Sequence, residues 1–67
     1  MKTGLFAEYE PKSDGTVIVR LRTKWSVIAW SHQFSREGAD KWVNDCWPAA
    51  QTTAEHNERR IQEALKA

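Results

Sequence analysis

Cysteine is nearly absent from this chain of 67 residues, which contains only Cys46. A single thiol excludes an intrachain disulfide and a metal cage built from several thiolates. The chain also lacks an apolar run near the roughly 18 residues that a membrane-spanning helix needs. The residues that follow Met1 in the sequence do not form the apolar centre of a signal peptide. We therefore expect a cytosolic protein, complete from Met1, with no membrane partner.

The chain has little excess of charge of either sign, since ten Lys and Arg residues stand against nine Asp and Glu residues, for a net charge of +1. No overall field is available to hold a nucleic acid or an anionic membrane. A chain this short forms one domain, residues 1–67, and buries roughly 60% of the surface that its unfolded form exposes. Four tryptophans help to build a core, because each can bury about 150–250 Å².

Three runs rich in β-branched and aromatic residues predict three strands. They are LFAEYE (5–10), TVIVRLR (16–22) and WSVIAWSHQF (25–34). PKSDG (11–15) separates the first two runs and has the composition of a turn. Only Thr23 and Lys24 separate the last two, which indicates a second tight connection. The pattern predicts a three-stranded antiparallel meander.

Two helices are expected after the strands. Ser35 is a suitable N-cap for the first. The apolar residues that follow it in the sequence fall on one helical face: Ala39, Trp42, Val43, Cys46 and Trp47. Pro48 is predicted to end this first helix. Thr52 and Glu55 form an S/T-x-x-E capping box, which is predicted to open a second, C-terminal helix, TAEHNERRIQEALKA (53–67). The expected fold is α+β, in the order β-β-β-α-α.

The alternation of side chains along the strands predicts which face of the sheet forms the core. Pairing Glu10 with Thr16, and Arg22 with Trp25, brings apolar residues to one face. These residues are Leu5, Ala7, Tyr9, Val17, Val19, Leu21, Ile28 and Trp30. The first helix is expected to pack on this face.

The opposite face is predicted to be a binding surface. It collects Phe6, Glu8, Glu10, Ile18, Arg20, Arg22, Trp25, Val27 and Ala29. Aromatic residues and arginine together are enriched at protein interfaces, so we predict Phe6, Arg20, Arg22 and Trp25 to bind a partner. Two structural interpretations compete with this: the second helix covers the face as a second small core, or Trp25 stacks on Arg22 as a surface cation–π pair.

The sequence contains no convincing catalytic, cofactor or metal site. His32 and His56 are the only histidines, and no cysteine or carboxylate spacing joins them into a ligand set. Ser31 and His32 point apart on a strand, so they do not form a nucleophile and base pair. Cys46 lies on the apolar helical face, where an inert thiol is expected. We expect a protein that is not an enzyme and needs no cofactor.

The architecture itself carries a resemblance to a known group. The predicted order is a compact meander, a helix that starts with SREGADKW (35–42), a short polar link and a final charged helix. This order resembles that of the small anti-CRISPR proteins of phages and mobile elements, in particular a group with an antiparallel sheet followed by two helices. In that group, exposed aromatic and charged side chains bind a subunit of the CRISPR surveillance complex and block its access to DNA. The resemblance implies a phage-type inhibitor in the host cytosol that binds a larger bacterial protein or protein–nucleic acid complex stoichiometrically.

Two other functions are compatible with the pattern. A three-stranded sheet backed by a helix is also similar to integrase arm-binding and AP2 domains, which bind DNA. In that case this chain would use Arg20, Arg22 and Lys24 to read DNA. A sequence pI of about 7.9 and the acidic Glu8 and Glu10 argue against that use. Alternatively, the chain is a homodimer rather than a monomer, joined through the edge strand at 5–10 or through the aromatic face.

Overall fold

Residues 4–66, which the computed structural model describes, form three β-strands followed by one α-helix. The elements are β1 (Phe6–Pro11), β2 (Val17–Arg22), β3 (Val27–Gln33) and α1 (Arg36–Lys66). The strands are antiparallel in the order β1-β2-β3, so the predicted meander is confirmed. The predicted start of the protein at Met1 and the last residue of the predicted second helix lie outside the described residues.

The first hairpin turns where PKSDG predicts a turn. The Lys12 amide donates to the Thr16 carbonyl at 2.8 Å, and the Gly15 amide donates to the Lys12 carbonyl at 3.1 Å. Gly15 has a φ of 89°, a conformation that side chains with a Cβ rarely adopt. The Asp14 carboxylate accepts from the Thr16 amide at 2.9 Å, which is the usual role of aspartate in a turn.

The register of this hairpin differs from the prediction by two residues, because Glu10 lies opposite Ile18 rather than Thr16. An even offset moves no side chain to the other face, since the faces alternate with a period of two. Ala7 and Tyr9 therefore still share a face with Leu21 and Val19, which lie directly opposite them.

The second hairpin does not follow the prediction, and the pairing of Arg22 with Trp25 is wrong. Arg22 lies opposite Val27, and the register is irregular between Leu21 and Arg22. The connection is longer than two residues: the Thr23 amide donates to the Ser26 carbonyl at 3.0 Å. The Thr23 side chain is buried, and its hydroxyl accepts from the Trp25 amide at 3.2 Å.

The longer connection alone shifts the register by two residues, so Val27 keeps its predicted face opposite Arg22. The irregularity between Leu21 and Arg22 adds one more residue, and it reverses the orientation of β3 from Ala29 onward. Ala29 lies opposite Leu21 and Trp30 opposite Arg20, so an odd offset from the predicted register exchanges the two faces. Trp30 is consequently 65% exposed, and its predicted place in the core is wrong. Ile28, the other β3 residue predicted for the core, lies at the irregularity and is half-buried.

The two predicted helices are one continuous helix of 31 residues, with Pro48 inside it. Proline lacks the amide hydrogen that would bond to the carbonyl of Asn44, but both residues are exposed, so water can satisfy this carbonyl. The Thr52 hydroxyl donates to the Pro48 carbonyl at 3.1 Å inside the helix, and does not begin a new helix. The predicted break at Pro48 and the predicted capping box are therefore wrong.

Packing explains why the helix continues through Pro48. Its inward face runs without a phase change from the first half to the second, through the buried Ala39, Ala50 and Ala54 and the half-buried Val43, Cys46, Trp47 and Ile61. Steps of three and four residues keep all of these on one side of an α-helix. Burial of this face offsets the local cost of proline, and small alanines allow α1 to lie close to the sheet.

The core lies between α1 and the face of the sheet formed by alternate residues of β2. Val17, Val19 and Leu21 are buried in the centre, and Ala39 of α1 packs against the first two. At its N-terminus, α1 is joined to β1 by Tyr9. The Tyr9 hydroxyl donates to the Asp40 carboxylate at 2.9 Å.

Arg36 completes this polar contact between β1 and α1. Its guanidinium lies 3.8 Å from the centre of the Tyr9 ring and donates to Asp40 at 3.1 Å. Hydrogen bonds from Arg36, and then from Tyr9, lower the pKa of Asp40. Burial, followed by the hydrogen bond to Asp40, raises the pKa of Tyr9. The ionised carboxylate is thus the form that the fold favours.

The molecule is elongated because α1 is longer than the sheet. A helix of 31 residues spans about 46 Å, whereas strands of six or seven residues span roughly 20 Å. The long dimension of the described chain is 47 Å and its radius of gyration is 13.6 Å, against about 11 Å for a compact chain of this length. The last turns of α1 therefore extend past the strands, where they lie beside Trp25.

Candidate protein-binding surface

One face of the sheet remains uncovered in the described part of the chain, because α1 packs on the other face of β2 and β3. We call this uncovered surface the open face. The ladders place its residues in three rows across the strands: Phe6, Arg22 and Val27, then Glu8, Arg20 and Trp30, then Glu10, Ile18 and His32.

The open face contains a shallow apolar depression. Ile18, Val27 and Trp30 line it together with Arg20, and its volume is about 390 Å³. Val27 is 43% exposed and Phe6, in the same row, is 44% exposed. With Trp30, these residues form an aromatic and aliphatic surface that meets solvent.

The two arginines of the open face are paired with its two glutamates. Arg20 donates to Glu10 at 3.0 Å and to Glu8 at 3.4 Å, and a nitrogen of Arg22 lies 3.7 Å from Glu8. Glu10 also forms an ion pair with Lys12. Hydrogen bonds from Lys12, and then from Arg20, lower the pKa of Glu10. Two arginines thus face two glutamates on this surface, and their formal charges balance.

Three of the four predicted site residues lie on the open face: Phe6, Arg20 and Arg22. Trp25 does not, because it belongs to the connection between β2 and β3 and lies beside the last turns of α1. It is 52% exposed. The ammonium group of Lys24 lies 4.9 Å from the centre of its ring, so the alternative prediction of a stack on Arg22 is wrong. The alternative prediction that a second helix covers the open face is also wrong.

Trp30 is the residue of this surface that the sequence interpretation missed. Thr23 and Lys24 indicated only that the connection is longer than predicted, since neither favours the positive φ that a two-residue hairpin turn requires. The exchange of faces at Trp30 comes from the register irregularity between Leu21 and Arg22, which these two residues did not indicate.

A second polar group lies at the edge of the open face. The Nε2 atom of His32 is 2.7 Å from the Thr16 hydroxyl, which donates to Asp14 at 2.5 Å. Hydrogen bonds from the hydroxyl and the amide of Thr16 lower the pKa of Asp14. All three side chains are near solvent, and the hydroxyl donates to the carboxylate rather than to a base. This arrangement fastens the first turn to β3.

Within 4–66, no three His, Cys, Asp or Glu side chains are grouped so that they could hold a metal ion. The helix of this part of the chain is not apolar enough over a sufficient length to cross a membrane. Cys46 is half-buried with a free thiol.

Comparisons of this chain with protein families, with curated proteins and with solved structures gave no match.

Proposed function

We propose that this chain is a non-enzymatic protein-binding module that occupies a surface of a larger bacterial assembly stoichiometrically and inhibits it by occlusion. The observation that carries the proposal is the exposure of Trp30 beside Ile18 and Val27 on the open face. Tryptophan is among the residues most enriched at the energetic centres of protein interfaces. An aromatic side chain that is 65% exposed supplies apolar area to a partner.

The ion pairs around the depression support burial by a protein. Covering an unpaired charge is costly, whereas a charge that keeps its partner can be covered at a lower cost. The guanidinium of Arg20 keeps two carboxylates, Glu8 and Glu10. Its aliphatic part lines the depression with Trp30, so this arginine offers apolar area to a partner without presenting a free charge.

The same ion pairs disfavour direct DNA binding. A phosphate would have to replace Glu8 and Glu10 on Arg20 and Arg22, and the displaced carboxylates would remain beside it and repel it. Affinity for DNA depends on cations that neutralise phosphates. The proposal therefore places a protein surface, rather than a nucleic acid, on the open face.

The target class is a proposal from resemblance. A CRISPR surveillance complex in the cytosol of a bacterial host is the assembly implied by the likeness to anti-CRISPR proteins. That likeness included two C-terminal helices, whereas residues 4–66 form one helix after the sheet. The protein-binding proposal rests on the open face and does not depend on this target.

The two exposed tryptophans allow a matched test. Tagged wild type, Trp30→Ala and Trp25→Ala are used to capture proteins from a nuclease-treated bacterial lysate. A protein retained by wild type and Trp25→Ala, but lost with Trp30→Ala, is then purified and titrated against the three. We expect one-to-one binding, and at least about thirtyfold weaker binding by Trp30→Ala, since an interface anchor contributes about 2 kcal/mol or more.

The far-UV circular dichroism of both variants must match wild type for the comparison to hold. A partner bound equally by Trp30→Ala would remove the open face as the binding surface. Loss of binding with Trp25→Ala alone would place the surface at the end of α1.

A further inference from the structure

The outer edge of β3 is a second surface of this molecule that could pair with another chain. In the order β1-β2-β3, the central strand is β2, and both β1 and β3 are edge strands of the described sheet. Edge strands present unpaired backbone groups, and natural proteins protect them with charges, proline or a covering element. The two edges of this sheet differ in that protection.

The hydrogen bonding shows which backbone groups of β3 point outward. The Lys12 amide donates to the Thr16 carbonyl, so Thr16 directs its backbone groups toward the β1 side. Because these directions alternate along an antiparallel strand, Val17, Val19 and Leu21 bond to β3. Their partners on β3 are Gln33, Ser31 and Ala29.

The intervening residues of β3 consequently turn their amides and carbonyls away from the sheet. Trp30 and His32 alternate with those partners, so their backbone groups point to the free side of β3.

Charge and proline distinguish the two edges. β1 contains Glu8 and Glu10 and ends at Pro11. Pairing β1 with an antiparallel copy would bring these glutamates close to those of the copy on one face, where like charges repel. β3 has the sequence VIAWSHQ, with no Asp, Glu, Lys, Arg, Gly or Pro. It is the edge with the weaker protection.

The position of Trp30 within β3 also suits the pairing of this strand with a second copy of itself. Trp30 is the middle residue of Val27–Gln33, and its amide and carbonyl point outward. In an antiparallel pair, two residues that face each other can exchange both hydrogen bonds. A two-fold axis at Trp30 would place the two copies of this residue in such a pair, and would place Ile28 opposite His32 of the second copy.

We propose that a second copy of this chain pairs with the outer edge of β3, antiparallel and centred on Trp30, to form a continuous six-stranded sheet. The two open faces then lie on the same side, with the two Trp30 side chains next to each other, and the helices lie on the other side. Cross-strand aromatic pairs stabilise such contacts. Phe34, which is 90% exposed, follows β3 immediately. This inference does not require the proposed function.

Sedimentation equilibrium over a range of concentrations tests the pairing. The monomer has a mass of 7.7 kDa, and we expect wild type to approach twice that mass as its concentration rises. Trp30→Pro removes the outward amide hydrogen, which the fold does not use, while an edge strand tolerates proline there. Loss of the two symmetric hydrogen bonds, at about 1 kcal/mol each, should weaken dimerisation roughly thirtyfold.

Trp30→Thr is the matched control, because it removes the same indole but retains the amide hydrogen and a β-favouring residue. We expect its dimerisation to be stronger than that of Trp30→Pro. Wild type that stays monomeric at millimolar concentration would overturn the proposal. A dimer that forms equally well with Trp30→Pro would also overturn it, because the copies would then meet elsewhere.

A second measurement tests the register without proline. In a Cys46→Ser background, Trp30→Cys is oxidised with glutathione disulfide. Residues that face each other in a hydrogen-bonded antiparallel pair have Cα atoms about 5.5 Å apart, within the range that a disulfide spans. We expect a covalent dimer for Trp30→Cys and none for Glu8→Cys on the other edge. The reverse result would assign the interface to β1 and contradict the proposal.

Discussion

Trp30 lies directly opposite Arg20 in the β2–β3 ladder, on the face of the sheet that α1 leaves uncovered. Arg20 in turn lies opposite Glu8, and its guanidinium forms ion pairs with the carboxylates of Glu8 and Glu10. One row across the sheet thus places an exposed indole beside a neutralised cation. The predictions below test the packing and charge on which this arrangement depends.

The first prediction concerns the exposure of Trp30. Replacing an exposed residue usually changes the free energy of unfolding by less than about 0.5 kcal/mol, and Trp30→Ala should follow this rule. Leu21→Ala removes a fully buried side chain and should destabilise the fold by about 2–5 kcal/mol. Urea unfolding of the two variants measures the difference. A loss of several kcal/mol with Trp30→Ala would show that Trp30 is buried in the core.

A second prediction concerns the continuity of α1. Pro48→Ala restores an amide donor inside the helix, and alanine is favoured over proline in a helix interior by about 3 kcal/mol. We expect a higher free energy of unfolding, by up to about that amount, with no loss of helical circular dichroism. Asp45→Ala, at a nearby exposed position, is the control and should have little effect. Destabilisation by Pro48→Ala would support two separate helices.

The connection between β2 and β3 provides a third prediction. The buried Thr23 hydroxyl accepts from the Trp25 amide. Thr23→Val keeps the shape but removes the acceptor, which should cost about 1–3 kcal/mol by leaving a partner unsatisfied. Thr23→Ser retains the hydroxyl and should keep most of that stability. A larger loss with Thr23→Ser than with Thr23→Val in thermal or urea unfolding would show that the methyl group, and not the hydrogen bond, holds the connection.

Acid should weaken the contact between β1 and α1. The fold lowers the pKa of Asp40 below its ordinary 3.8, so the folded state favours the ionised carboxylate. This contribution is fully present above the unfolded pKa and is lost as pH falls through the lower, folded value. Unfolding measured from pH 5 downward should show a smaller acid dependence for Asp40→Asn than for wild type. Glu10→Gln tests the open face in the same way, since the pKa of Glu10 is also lowered.

Removal of the carboxylates should create an affinity for DNA that we do not expect of the wild type. Glu8→Gln with Glu10→Gln frees Arg20 and Arg22 and raises the net charge by two. We expect this double variant to bind duplex DNA at low salt, with an affinity that falls steeply as salt rises. Fluorescence anisotropy with a labelled duplex measures the binding, and wild type is the control. Tight, salt-dependent binding by wild type would contradict the protein-binding proposal.

Local patterns were sufficient for much of the sheet. PKSDG identified the first turn because its residues suit a turn whatever surrounds them. An error of two residues in the first register was harmless, because Tyr9 and Val19 stayed on the core face. Phe6, Arg20 and Arg22 were assigned to the open face for the same reason.

The errors arose where a local signal competed with packing. Pro48 is a helix breaker by its own chemistry, but a continuous inward face from Ala39 to Ile61 keeps the helix intact. The capping box at Thr52 is a pattern that also occurs inside helices, where the hydroxyl bonds to the preceding turn. Neither pattern shows by itself which use the fold makes of it.

The sequence by itself determined three antiparallel strands followed by helix, a core face on β2 and a surface of balanced charge, because alternation and turn chemistry act over a few residues. Only the tertiary structure decided the length of the second connection, the exposure of Trp30 and the continuity of α1. These depend on what packs against each residue from distant parts of the chain. A change of one residue in register exchanges the faces of a strand, and only contacts across the sheet select the register.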